Sequence, residues 1–278
     1  MLLQSIGMDP ISYRLVNNLR QASRQMGVRI DRISTGLRIT RAADDAVGLA
    51  VATNLSSDAT SARAAIRNTN QGITVVDLAS GATTEVEDII SRMKELAIES
   101  KTGTLTGAQR NALHTEFVTL RSDIDRIANA TEFNSIKLTS GGTASLNIQV
   151  GIHNTASDRI KLDFGNLLAS AGLGITTALS LSTTALASQA IVRFSAALNT
   201  TLNYQARYGG GERRLDSALN NLEMFTVNMD SAVANIMDAD LAAETAQLAK
   251  LQIVQMATAA MLVQVNTSNY ASKLLEAI

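Results

Sequence analysis

Hydrophobic residues near the start of the chain recur in alternating steps of three and four, the spacing of one face of an α-helix. Asp9 and Pro10 stand in the order expected at a helix start, Gly36 is placed to end the helix, and Asp44 and Asp45 can cap the next one. The pattern predicts a first helix of about 25 residues. Its apolar face consists of Met8, Ile11, Leu15, Leu19, Ala22, Met26, Ile30, Ile33 and Leu37.

A second helical pattern runs over residues 45–100. Residues 101–107 then form a turn, and Thr106 and Gln109 have the spacing of a capping box at the start of a third helix. These segments predict two antiparallel helices joined by a short connection. Their apolar stripes are Ile66, Ile73, Val76, Val86, Ile90, Met93 and Ala97 on the first, and Leu113, Phe117, Leu120, Ile124 and Ile127 on the second.

The hydrophobic period changes to two residues after Phe133, as in half-buried strands. Residues 146–150 and 160–164 each alternate apolar and polar side chains, and residues 153–158 supply a turn between them. The pattern predicts a small β-hairpin. Residues 165–185 are rich in Gly, Ser, Thr and Ala, which predicts a loop.

Helical periodicity returns at about Thr183 and continues to the end of the chain. Gly209, Gly210 and Gly211 interrupt it at a cost of about 1 kcal/mol each relative to Ala, which allows a kink. The predicted fold class is mainly α, with long antiparallel helices in coiled-coil-like packing and a small β-hairpin element. The terminal helices are expected to pair. The stripe of the last helical region begins with Leu215, Leu219, Leu222, Phe225, Met229, Val233 and Ile236.

The two ends of the chain carry opposite charge, although the net charge is only −1. Residues 14–41 contain seven Arg and one acid, Asp31, whereas residues 215–249 contain six acids and no Lys or Arg. Pairing of these segments, within one chain or between chains, would neutralise both where water is partly excluded. The alternative is that both are solvated helix faces, because an isolated surface ion pair contributes little.

The 22 residues from Leu251 to Ser272 carry no charge, a length sufficient for a membrane span. Five Gln and Asn residues within them make the segment too polar for lipid. Ordering the first helix costs on the order of 40 kcal/mol, more than the roughly 15–25 kcal/mol that burial of its apolar face contributes. We therefore expect other copies of the chain to bury both terminal helices. A membrane-active amphipathic protein is the alternative from another class.

Composition argues against an enzyme or a metal protein. The chain has no Cys, and its two His, His114 and His153, have no nucleophile signature near them. Aromatic residues make up only 3% and are too scattered to stack on the bases of a single-stranded nucleic acid. We expect no catalytic activity, metal or cofactor. The N-terminal sequence does not resemble a cleavable secretory signal, so the protein is expected to stay inside the cell or to leave by another route.

The segment RISTGLRITRAADDAVGLAVA, residues 32–52, resembles the N-terminal signature of bacterial flagellins. The resemblance covers residues 1–165 and 186–278, and it departs from the family pattern at Gly209–Gly211, where one Gly is more usual, and at Thr267–Asn269, where Pro is usual. Further matches follow in the family's order at Asn70–Ile73, Met93–Ala97, Phe133–Asn134, Gln149–Gly151, Arg214–Ala218, Ile236–Glu244 and Leu251–Val254.

This resemblance implies a short flagellin that lacks the large variable surface domains, which would otherwise lie near residues 165–185. The implied function is that of a structural subunit that polymerises into the bacterial flagellar filament for swimming motility. Residues 1–44 and 236–278 would form an inner layer of paired helices. Residues 45–185, with the hairpin, and residues 186–235 would form the outer layer.

The resemblance also implies partners and a location. The protein would be exported by the flagellar type III channel and lie outside the cell, in the flagellar filament. A secretion chaperone would bind the C-terminal helix over residues 240–278, and the filament would meet cap and hook-associated proteins. Neither nucleic acid nor stable membrane insertion is expected. The alternative within the family is the hook–filament junction protein, in which Pro typically follows the paired Asp, whereas Ala46 and Gly48 follow here.

Two sets of site residues follow from the helix pattern and the resemblance together. A Toll-like receptor that senses flagellin would contact Arg92, Leu96 and Glu116. The residues expected at interfaces between subunits are Ile11, Leu15, Leu19, Arg20, Arg24, Met26, Ile30, Arg32, Ile33, Asp44, Asp45, Asp238, Asp240, Leu248, Leu251, Val254, Met261, Leu262 and Val265.

Overall fold

A computed structural model describes residues 10–143 and 145–276, with side chains through residue 267. The described residues confirm the predicted fold class, since long helices dominate and the strands form short hairpins. The helices are α1 (Pro10–Thr35), α2 (Ala46–Lys101), α3 (Gly107–Ala130), α4 (Thr184–Met237) and α5 (Leu241–Glu276), and the strands are β1 (Glu132–Phe133), β2 (Ile136–Lys137), β3 (Ser145–Gln149) and β4 (Arg159–Asp163).

The chain divides into two compact units. The central unit contains residues 58–227, and the terminal unit contains the described residues up to Ser57 and from Asn228 onward. The divisions fall inside α2 and α4, at 57/58 and 227/228, whereas the resemblance placed its boundaries at 44/45 and 235/236. Helices α2 and α4 therefore each contribute to both units.

Local signals set most of the helix ends. Gly36 adopts φ +72°, a conformation that only Gly adopts without strain, and its N–H closes α1 on the carbonyl of Arg32. The Asp45 carboxylate accepts a hydrogen bond of 2.8 Å from the Gly48 N–H, as an N-cap of α2 does. The expected capping role of Asp44 is wrong, because its carboxylate binds the turn that precedes the helix. The predicted cap Asp9 lies outside the described residues.

The core of the central unit is larger than the helix stripes predict. The capping box at the start of α3 is confirmed, and Phe117 of α3 packs against Phe194 of α4. The predicted loop between β4 and α4 is confirmed as irregular, yet it covers this core with apolar side chains of its own. The buried loop residues are Leu167, Ala169, Leu173, Ile175 and Leu181.

The predicted hairpin is confirmed as the antiparallel pair β3–β4, in which Leu146 lies opposite Leu162. Leu162 is buried in a cluster that also contains Val76 of α2 and Leu215 of α4. Helix α4 continues through its three glycines without a break, although a kink was allowed there. A further two-residue hairpin, β1–β2, was not predicted, and positive φ angles at Asn134 (48°) and Ser135 (64°) form its turn.

Candidate functional site

In the terminal unit, α1 and α5 pack against each other as an antiparallel pair. The less exposed positions on each helix recur in alternating steps of three and four, as in the seam of a coiled coil. We call these positions the seam. On α1 it consists of Ser12, Leu15, Leu19, Ala22, Met26, Arg29 and Ile33, and on α5 of Glu244, Leu248, Leu251, Gln255, Thr258, Leu262 and Val265.

One carboxylate joins the two helices electrostatically. Glu244 of α5 is only 7% exposed and accepts from Arg29 at 2.7 Å and from Arg32 at 3.2 Å. Burial by itself raises the pKa of Glu244, but the hydrogen bonds and the charges of the two guanidinium groups outweigh it, so the pKa lies below the ordinary value of 4.5. At Glu244, the basic and the acidic segment therefore pair within one chain.

Backbone hydrogen bonds fasten the two connections where α1 ends and α5 begins. Leu37 and Asp238 form an isolated antiparallel bridge, in which the Arg38 N–H donates to the Met237 carbonyl at 2.6 Å. The Asp240 carboxylate accepts from the first N–H groups of α5, including that of Ala242 at 2.9 Å. The carboxylate of Asp44 likewise accepts from the Thr40 N–H at 3.1 Å, and this hydrogen bond is the first cause of its lowered pKa.

The structure divides the predicted interface residues into three groups. The first lies in the seam, where the chain already covers part of each side chain: Leu15, Leu19, Met26, Ile33, Leu248, Leu251, Leu262 and Val265. The second consists of exposed apolar side chains: Ile11, Ile30, Val254 and Met261. The third is charged or polar, with Arg32 paired, Asp44 and Asp45 bound to backbone N–H groups, and Arg20, Arg24, Asp238 and Asp240 exposed.

Helix α5 carries a second apolar stripe that sequence reasoning missed. We call it the outer stripe, and it lies nearly opposite the seam, since it follows the same alternation two residues out of step. Its larger side chains are well exposed: Ile253 is 62%, Met256 66% and Val263 64% exposed. Its members are Ala242, Ala246, Ala249, Ile253, Met256, Ala260 and Val263. Sequence reasoning also missed Arg29 and Glu244, which the same alternation places on the seam.

Residues 241–267 belong to a helix that is long and apolar enough to cross a membrane. The mean hydropathy of its most apolar stretch is 1.4, and no residue of that stretch is buried. Length and composition alone do not distinguish a membrane span from a helix that other protein covers. Within the described part of the chain, no cluster of His, Asp and Glu could hold a metal ion. The terminal unit presents exposed apolar side chains and the ion pairs of Glu244.

The predicted receptor residues lie in the central unit and differ in accessibility. Arg92 and Glu116 are about half exposed and form an ion pair of 2.9 Å between α2 and α3. The Leu96 side chain is 1% exposed and belongs to the core. The structure thus brings Arg92 and Glu116 together on the surface, and it places Leu96 behind them as a packing residue.

Comparisons with known proteins bear on both units. Residues 10–144 match the model of the bacterial flagellin N-terminal helical region, and residues 192–272 match that of the flagellin C-terminal helical region. A flagellin of Halalkalibacterium halodurans is 32% identical over 249 residues, which cover 90% of this chain and 89% of that protein. A flagellin of Listeria monocytogenes is 30% identical, with 92% and 93% covered.

Two solved structures are similar to this fold. The crystal structure of Bacillus cereus flagellin has a TM-score of 0.50 and 27% identity, and the match covers 56% of this chain and 88% of that one. A putative flagellar hook-associated protein from Vibrio parahaemolyticus has a TM-score of 0.59, with 70% and 100% covered. At 15% identity, the second likeness concerns the fold alone.

Proposed function

The chain belongs to the bacterial flagellin family and is a structural subunit of the flagellar filament, and on this premise we propose that the outer stripe of α5 is a contact between subunits. The observation that carries the proposal is the exposure of Ile253, Met256 and Val263 on a helix whose opposite side is already paired. Burial of each side chain would contribute about 1.5–3 kcal/mol. A single copy leaves this contribution unused, whereas a polymer gains it at every subunit.

We further propose that residues 1–44 and 236–278 form the inner layer of the filament, with residues 45–185 and 186–235 around it. The unpaired apolar surface of the terminal unit supports this arrangement, because such a surface is best kept from water at the centre of a tube. The central unit has its own buried core and suits an outer position. Flagellins are structural proteins, and we propose that this one has no catalytic activity.

The experiment replaces two residues of the outer stripe, Ile253→Glu and Met256→Glu, in purified protein. Glu is a good helix former, so α5 should keep its helicity while the stripe loses its apolar character. Loss of two buried side chains predicts a critical concentration for polymerisation at least about a hundredfold higher. The critical concentration is measured by sedimentation of polymer grown from wild-type seeds, and negative-stain microscopy verifies that the polymer is filamentous.

The matched control introduces the same two charges on the polar flank of the same helix. Thr245→Glu and Gln252→Glu are exposed positions outside both apolar stripes, and this variant should polymerise like the wild type. Filaments from the stripe variant at the wild-type concentration would contradict the proposal. Binding of wild-type monomer to liposomes without growth from seeds would support instead the membrane-active alternative, which the comparisons do not favour.

Export and location belong to the same proposal. We propose that the chain leaves the cell through the flagellar type III channel and takes its place in the extracellular filament. A secretion chaperone would cover residues 240–278, where the outer stripe offers exposed apolar side chains. Cap and hook-associated proteins would contact the filament ends. If the wild type is secreted and a chain truncated after residue 239 is not, the result would support chaperone-assisted export through residues 240–278. Equal secretion of both chains would contradict it.

Receptor recognition is a second proposal, carried by the exposed ion pair of Arg92 and Glu116 on the central unit. A Toll-like receptor would contact these two side chains, with Leu96 holding α2 in place from beneath. Depolymerised wild-type protein should activate a receptor reporter, and Arg92→Ala should reduce the response about tenfold or more, as expected of a central interface Arg. The control is Arg126→Ala on α3, also exposed and ion-paired within its helix. No response to the wild type would remove the proposal.

A further inference from the structure

Charge is unevenly distributed along the α1·α5 pair. We call residues 10–28 and 245–267 the basic end, and residues 29–45 and 236–244 the acidic end. The basic end contains four cations and no acid, whereas the acidic end contains four Arg and six acids. Because the helices are antiparallel, each end draws on both termini of the sequence. The basic end therefore has a net positive charge and the acidic end a net negative charge, although both belong to the terminal unit.

Within the part of the chain that the structure describes, the cations of the basic end have no ion-pair partner. Arg14, Arg20 and Arg24 are exposed, and none of them forms an ion pair among the described residues. The cause lies in the register of the pair. The Gln255 side chain reaches Ser23 at 3.4 Å, so the arginines lie along the uncharged half of α5.

The acidic end has more carboxylates than cations, the opposite of the basic end. Arg29 and Arg32 form ion pairs with Glu244, and Arg41 is paired with Asp31 at 2.6 Å. Asp238 and Asp240 remain exposed and form no ion pair among the described residues, although Asp240 also caps α5. Leu37, which bridges to Asp238, follows Arg14 by 23 residues, so the two surfaces lie roughly 35 Å apart along the pair.

We propose that Arg14, Arg20 and Arg24 of one copy bind Asp238 and Asp240 of a second copy, so that terminal units associate head to tail. This inference rests on the proposed function, since it names how subunits are oriented at the surface that the filament buries. Packing of subunits in a filament removes water from the basic end, and a desolvated charge without a partner is strongly unfavourable. The second copy supplies the missing carboxylates.

The position of the charges also limits the ways in which copies can associate. A contact that joins the basic end of one copy to the acidic end of the next uses two different surfaces, so each added copy presents a free surface of each kind. In a filament this contact runs head to tail, whereas an antiparallel two-fold pair would make the same ion pairs twice and close. Two copies aligned side by side in the same register would instead place like charges together, which is unfavourable. The charge pattern thus disfavours parallel pairing in register, and the filament of the proposed function selects the head-to-tail arrangement.

The test reverses each end separately and then both together. The basic-end variant carries Arg14→Glu, Arg20→Glu and Arg24→Glu. The acidic-end variant carries Asp238→Lys and Asp240→Asn, since Asn keeps the helix cap. Each single variant should raise the critical concentration for polymerisation at least about tenfold, and the combined variant should return to within about threefold of the wild type. Circular dichroism verifies that helix content is unchanged.

The charge-conserving control is Arg14→Lys with Arg20→Lys and Arg24→Lys, which should polymerise like the wild type. Wild-type polymerisation by either reversed variant overturns the inference, and so does a combined variant no better than the single ones. Loss of binding to vesicles of anionic phospholipid, with polymerisation intact, would mean that the arginines face lipid and would equally overturn it. The Ile253→Glu and Met256→Glu variant is measured in parallel, because polymerisation of that variant contradicts the proposed function itself rather than the orientation.

Discussion

At the scale of single residues, Glu244 is the side chain that links the two termini most directly. It lies on the seam of α5, and two arginines of α1 converge on its two oxygens. An unpaired carboxylate at this buried position would be costly, so the pair fixes the register of the helices more than it adds to their stability. The long apolar side chains of the seam leave that register open, because they pack similarly when shifted by a heptad.

The lowered pKa of Glu244 predicts a pH dependence. Since its pKa is lower in the folded protein than in the unfolded chain, the pair stabilises the terminal unit above the ordinary Glu value of 4.5, and this contribution is lost as the pH falls through the folded pKa. The protection factors of the α1 amides, which compare exchange with the intrinsic rate at each pH, should therefore fall on acidification below about pH 4.5. Glu244→Gln should weaken the pairing at pH 7 by about 1–3 kcal/mol and remove this part of the pH dependence.

The matched control is Glu99→Gln, an exposed carboxylate on α2 in the central unit. It should leave both the pH dependence and the exchange of α1 unchanged. Equal acid sensitivity of α1 in the wild type and in Glu244→Gln would mean that another group is responsible.

At the scale of elements, hydrophobic periodicity and capping residues predicted most of the helices. Elements without a periodic hydrophobic pattern were not predicted. Gly36, Asp45 and Thr106 act locally, so their roles could be deduced from a few neighbouring residues. The β1–β2 hairpin has strands of two residues, too short for a pattern, and depends on the left-handed backbone of Asn134 and Ser135. The buried loop side chains depend on tertiary contacts that no local spacing encodes.

The outer stripe escaped prediction for a different physical reason. A helix that is apolar on two opposite sides has little net amphipathicity, so α5 is simply apolar along its sequence. Its two stripes separate only once α1 is seen to cover one of them. For this reason the sequence indicated that α5 must be buried, but not which of its faces a second copy would cover.

The glycines of α4 give a prediction at this scale. A Cβ at Gly209 or Gly210 would meet no atom within 4 Å, whereas at Gly211 it would lie 3.1 Å from Leu162 Cδ2. Gly209→Ala and Gly210→Ala should each raise the free energy of unfolding by about 0.5–1 kcal/mol, because Ala restricts the unfolded chain and favours the helix. Gly211→Ala should raise the free energy of unfolding by less than this, or lower it, because its Cβ would crowd Leu162. Thermal unfolding followed by circular dichroism measures all three, and an equal gain at Gly211 would contradict this account of the packing.

At the scale of the whole molecule, the two units differ in how completely they bury their apolar residues. The central unit encloses large side chains such as Phe117, Phe194 and Leu215, each fully buried. The terminal unit covers the seam but leaves the outer stripe of α5 exposed, along with Ile11 and Ile30 of α1. A pair of helices with so little enclosed surface is marginal in water, because tertiary packing supplies most of the stability of a helix.

Amide hydrogen exchange, compared between dilute monomer and assembled filament, tests this difference most directly. In the monomer, the amides of residues 10–35 and 241–267 should exchange at least about a hundredfold faster than those of residues 86–97 in the central core, because their opening free energy is low. In the filament, both sets should be protected. Terminal helices that are as well protected in the dilute monomer as in the filament would contradict the claim that other copies complete their burial.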